Sequence, residues 1–91
     1  MDNTRPVYNK DEIKRIVSRI TRIDVTEFED NVLIREELGI DSLMAMEIIA
    51  TCEKHLGIRI DEALFADIET VGDFLDLLEK LIDVKKGLKA S

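Results

Sequence analysis

The 91 residues suffice for one small domain, and with 45% hydrophobic but only 4% aromatic side chains its core must be filled by Ile, Leu and Val. A single cysteine excludes an internal disulfide and a cysteine-built zinc site. The formal charge of −7 is unevenly spread: residues 1–23 hold six basic and three acidic side chains, residues 24–83 four and seventeen, and residues 84–91 three lysines.

An acidic body with basic ends argues against nucleic-acid binding, which needs a basic surface. It suits partners with basic docking patches, although the same acidity would also serve solubility alone. The opening MDNTRPVYNKDEIKR lacks the apolar core of a signal peptide, and no segment has the length of a membrane span. A cytoplasmic monomer is expected.

Residues 1–8, with the lone proline Pro6, read as an N-terminal arm ahead of a domain over 9–83. Asn9 followed three residues later by Glu12 has capping-box spacing, and Ile13, Ile16, Val17, Ile20 and Ile23 form one helical stripe. A first helix therefore ends near Ile23. Residues 24–40 lose that period, so they form a long loop in which Val25, Phe28 and Val32 are anchors. Ile34 and Leu38 are spaced for a helical turn before Gly39.

The second helix is predicted from an Asp41 N-cap to Leu56, with Gly57 as a left-handed C-cap. At 100° per residue its apolar side chains fall into two groups. Ala45, Ile48, Ile49, Cys52 and Leu56 make a core stripe. Leu43, Met46 and Ala50 lie well away from it, flanked by Glu47, Glu53 and Lys54. This second strip is either an exposed docking surface or an area covered by the long loop or by a short helix. Ser42 stands in the first turn, where unpaired N–H groups and the dipole favour a phosphate ester, but Asp-Ser pairs begin many helices, and helix chemistry alone favours an unmodified helix-start serine.

DEALFAD reads as one or two helical turns. Thr70 and Asp73 resemble a cap for a last helix whose stripe is Val71, Phe74, Leu75, Leu78, Leu81 and Ile82, although Gly72 would weaken its first turn by about 1 kcal/mol. KKGLKAS and the preceding Val84 form a basic C-terminal tail, residues 84–91. His55 is the lone histidine and Cys52 falls on the core stripe, so no Ser-His-Asp or Cys-His arrangement can be assembled. The acids near Asp61 and Asp67 lack the spacing of a calcium loop. An enzyme is not expected.

The stretch ELGIDSLMAMEI resembles the phosphopantetheine-attachment motif of acyl carrier proteins, a Leu-Gly-x-Asp-Ser-Leu core followed by an amphipathic helix. GIRIDEALF and TVGDFLDLL follow in that family's order and spacing, so the resemblance spans roughly residues 9–82. It implies an all-α, acyl-carrier-protein-like bundle of three longer helices plus a short helix, with the long loop between helices one and two. Ser42 would receive 4′-phosphopantetheine from coenzyme A through a Mg²⁺-dependent phosphopantetheinyl transferase. Asp41 would cap the helix and position that metal during modification.

Leu43, Met46 and Ala50, with the acids Glu47 and Glu53, match the family's partner-docking positions. The protein would be a free-standing carrier of acyl thioesters for enzymes of fatty-acid, polyketide or related biosynthesis, and its aliphatic core could admit an acyl chain. Met44 stands where fatty-acid carriers often have an acid, which turns the resemblance toward polyketide or specialised carriers. Ile40-Asp41 departs from the Gly-His of peptidyl carriers. The alternative is an unmodified helical interaction module that keeps the carrier fold.

Overall fold

The structure, a computed structural model, describes residues 8–90, with side chains through Lys85. Among the described residues the chain is an all-α bundle: α1 (Lys10–Thr21), α2 (Ser42–Leu56), the short α3 (Glu62–Asp67) and α4 (Val71–Ala90), with one 3₁₀ turn at Val25–Glu27. This is the predicted architecture. Pro6 and most of the proposed arm lie outside the described residues. Tyr8 does not behave as an arm: its hydroxyl donates to the Leu75 carbonyl at 2.8 Å, and its ring packs against the core. Burial, with Glu79 and Asp76 nearby, raises the phenol's pKa.

The Asn9 side chain accepts from the N–H groups of Asp11 and Glu12, which fixes the start of α1. The capping box is not closed, because the Glu12 carboxylate instead faces His55 Nε2 on α2 at 3.3 Å. Ile13, Ile16 and Val17 are buried. The helix stops at Thr21, short of the predicted Ile23, because side chains of its last turn bond to the chain just beyond it. The Ser18 hydroxyl donates to the Ile23 carbonyl, and Thr21 Oγ1 accepts from the Ile23 N–H. Such local bonds compete with helix continuation.

The long loop is pinned as predicted by Phe28, 2% exposed, and less deeply by Val32. Val25 is not an anchor: it sits in the 3₁₀ turn capped by Asp24 and faces solvent. Backbone bonds then tie the loop to the start of α4, from Ile34 N–H to Glu69, from Val71 N–H to Val32 and from Gly72 N–H to Asp30. A Cβ at Gly72 would lie 2.9 Å from the Asp30 carbonyl oxygen. The glycine that costs helix propensity is what lets loop and helix touch.

Three inner faces close the core: Ala45, Ile48, Ile49 and Cys52 from α2, Phe65 from α3, and Val71, Phe74, Leu75 and Leu78 from α4. Leu56, Leu81 and Ile82 pack at its edge. Thr70 and Asp73 form a reciprocal cap at α4, each side chain accepting the other's N–H. The Thr70 N–H, with that of Glu69, lowers the Asp73 pKa. The helix does not end near Asp83 but continues to Ala90, so residues 84–90 extend it instead of forming a loose tail. The Lys85 ammonium donates to the Gly57 carbonyl, which links the extension to the C-terminus of α2.

Candidate functional site

Ser42 is the first residue of α2, and its position is set from three sides. Gly39 has φ +68°, and a Cβ there would meet nothing within 4 Å, so glycine is needed for the left-handed backbone and not to clear space. Ile40, 4% exposed, then plugs into the core, with its N–H on the Ile34 carbonyl at 3.2 Å. Asp41 is the N-cap: one carboxylate oxygen accepts the Met44 N–H at 2.9 Å. Its second oxygen has no hydrogen-bond partner among the described residues.

The Ser42 side chain is exposed, and among the described residues nothing hydrogen-bonds its hydroxyl. It borders a groove of about 490 Å³ between α2 and α3 whose walls include Ile40, Ala45, Met46, Ile49 and Phe65, with Arg35 and Glu62 adding charge. A free hydroxyl, a helix N-terminus and an open groove beside it fit a phosphate ester with a flexible substituent.

The second apolar strip of α2 is uncovered. Leu43 is 77% and Met46 53% exposed, and Ala50 and Glu47 also face solvent. Neither the loop nor α3 covers them, so the strip is exposed and the covered alternative falls. Glu53 differs from the other acids of the set. It is half-buried, and its carboxylate accepts the Ile60 N–H at 2.6 Å, so it braces the turn into α3.

Cys52 is fully buried, and burial pushes its thiol up to about 12, which makes it inert at neutral pH. His55 meets only Glu12 among the described residues, and no group of three or more His, Cys, Asp or Glu there could hold a metal ion. No described helix is long and apolar enough to cross a membrane. The motif did not point to Arg35 or Phe65 as neighbours of Ser42. A signal for Arg35 was present, since it is the one basic residue between Asp24 and Glu53.

Residues 11–78 match the family model described as the phosphopantetheine attachment site. The chain is 33% identical over 85 residues to polyketide-8 synthase acyl carrier protein 2 of Streptomyces avermitilis, an alignment covering 92% of this chain and 98% of that one. It is 28% identical over 80 residues to the acyl carrier protein of Thermotoga maritima, covering 88% and 96%. Against a non-reducing polyketide synthase of Zymoseptoria tritici it is 38% identical over 63 residues, 69% of this chain but 3% of that much longer one. The chain belongs to the acyl carrier protein family of phosphopantetheine-bearing proteins. The first two of these relatives are, by name, acyl carrier proteins.

Proposed function

We propose that Ser42 is the attachment residue and that the chain works as a discrete carrier in polyketide or related acyl assembly. The observation that carries this is the exposed, unpartnered Ser42 hydroxyl at the start of α2, between the capping Asp41 and the bare Leu43–Met46 strip. The alignment over nearly the full length of a polyketide-synthase carrier supports the discrete form and the pathway class.

In the transferase complex, Ser42 Oγ would attack the coenzyme A phosphorus next to the pantetheine. An O–P bond forms there, the pyrophosphate bridge breaks, adenosine 3′,5′-bisphosphate leaves, and the hydroxyl proton passes to a transferase base. Asp41, with one oxygen on the helix and the other free, is positioned to meet a metal ion brought by that enzyme. When attached, the arm supplies a terminal thiol that holds acyl groups as thioesters.

Leu43, Met46 and Ala50 would then seat a partner enzyme, with Glu47 steering its basic patch and Glu53 holding the α3 turn beneath it. As in a carrier, the partners would perform the chemistry. A transferase reaction with a fluorescent coenzyme A, followed by peptide mapping, tests the assignment. The label is expected on the peptide containing Ser42, and label on any other residue would overturn it.

A further inference from the structure

Arg35 is the one cation of the chain between Asp24 and Glu53, and the fold sets it on the wall of the groove that opens at Ser42. It leaves the turn just before Gly39. Its neighbour Ile34 is buried there, with the N–H on the Glu69 carbonyl at 2.8 Å. The backbone under Arg35 is therefore anchored.

The head of the side chain is anchored as well. Nη1 donates to the Ile68 carbonyl at 2.8 Å and Nη2 to the Phe65 carbonyl at 3.1 Å, and the guanidinium lies 5.8 Å from the Phe65 ring centroid. A fork held at two acceptors cannot swing aside as a surface lysine does. Carbonyl oxygens and a ring hold the charge without cancelling it. Among the described residues the one ion pair joins His55 to Glu12, so no carboxylate neutralises Arg35. Glu37, two positions on, commits an oxygen to the Leu33 N–H at 2.7 Å. The arginine is still exposed, and a guanidinium has five N–H groups, so donors remain for another protein.

The result is a fixed positive charge beside a serine whose other charged neighbours are acidic. Asp41 and Glu62 line the same groove, and Glu47 is exposed further along α2. A partner that approaches Ser42 with a face basic throughout is drawn by these acids and repelled at Arg35. A face that is basic over α2 but carries a carboxylate opposite Arg35 is attracted at both. Specificity is a difference between affinities, and a like charge in the wrong place lowers the unwanted one.

We propose that Arg35 is a specificity-determining residue of the docking surface. It selects partners that bear a carboxylate opposite the turn before Gly39 and rejects those whose face is uniformly basic. The inference rests on the Ser42 reading, and the experiment tells the two apart.

The probe is a broad-specificity phosphopantetheinyl transferase with a docking face basic throughout, supplied with coenzyme A and Mg²⁺ and followed by intact mass. Its kcat/KM is measured on wild type, Arg35→Met, Arg35→Glu and Arg35→Lys at about 0.05 M and about 0.5 M salt. At low salt Arg35→Met should be modified about fivefold and Arg35→Glu about tenfold more efficiently than wild type, and high salt should remove most of both gains. Lysine keeps the charge but not the fork. Arg35→Lys should therefore stay within about twofold of wild type, although amide exchange at Phe65 and Ile68 quickens as it does in Arg35→Met.

Equal efficiencies in all four proteins, a fall in Arg35→Glu, or a full gain shared by Arg35→Lys would overturn the assignment. Glutamate scanned through the basic residues of the transferase face should give one transferase variant that prefers wild type to Arg35→Glu, and a scan that yields none would overturn it too. No mass gain in folded wild type would remove the Ser42 reading and this inference with it.

Discussion

Helices α1 and α2 are built by the same rules at their ends but differ on their outer faces. Each starts at a side-chain N-cap, Asn9 or Asp41, and stops at a left-handed residue, Arg22 or Gly57. Each buries one stripe, and Ile13 at 1% and Ile48 at 2% exposure are equivalent in depth. Outward, α1 shows charge, including Arg15 and Arg19, whereas α2 shows Leu43 and Met46. Folding explains the outer face of α1, since a surface helix needs a solvated side. It does not explain exposed Leu and Met beside a free serine. The difference separates what holds the domain together from the surface for which we propose a docking role.

The comparison predicts that inner faces are interchangeable in cost. Ile13→Ala and Ile48→Ala should each lower the unfolding free energy by about 2–5 kcal/mol in urea titrations, a large part of a small domain's stability. A cost confined to one helix would break the equivalence. The outer faces should respond oppositely. Met46→Glu should cut a partner enzyme's kcat/KM for this carrier about tenfold, or about 1.4 kcal/mol, while Arg15→Glu leaves it unchanged. Both should keep stability within about 0.5 kcal/mol. Equal losses of transfer at the two positions would erase the distinction.

The smallest expected effect is at Cys52, which the fold holds protonated up to about 12 against an ordinary 9.0. Its folded pKa is raised, so its contribution is complete below about pH 9 and is lost as pH rises toward 12. The unfolded thiol ionises first. At pH 10 wild type should have lost roughly 1 kcal/mol more than Cys52→Ala, each measured against its own stability at pH 8. Parallel pH profiles would show that the thiol ionises freely in the fold.

What the sequence revealed of this arrangement was whatever is coded within a few residues. Asp41 and Gly57 bound α2 because caps depend on local backbone geometry, and the two stripes follow from helical period alone. The end of α1 was harder to read, because Ser18 and Thr21 turn their hydroxyls to the chain beyond the helix, where periodicity carries no signal. Gly72 looked like a flaw until Asp30 was found against it. The bond from Glu53 to Ile60 and those from Arg35 to α3 are tertiary, and no local pattern announces them. Ser42 itself was legible through its motif, and the groove beside it only through the fold.

The central claim is that Ser42 is dispensable for folding and indispensable for attachment. Intact mass before and after incubation with coenzyme A, Mg²⁺ and a broad-specificity phosphopantetheinyl transferase tests it most directly, with Ser42→Ala alongside and thermal melting of both proteins. The account predicts a single phosphopantetheinyl gain in the parent, none in the variant, and matching melting curves. A gain that survives in Ser42→Ala, or no gain in a folded parent free of prior modification, would contradict it.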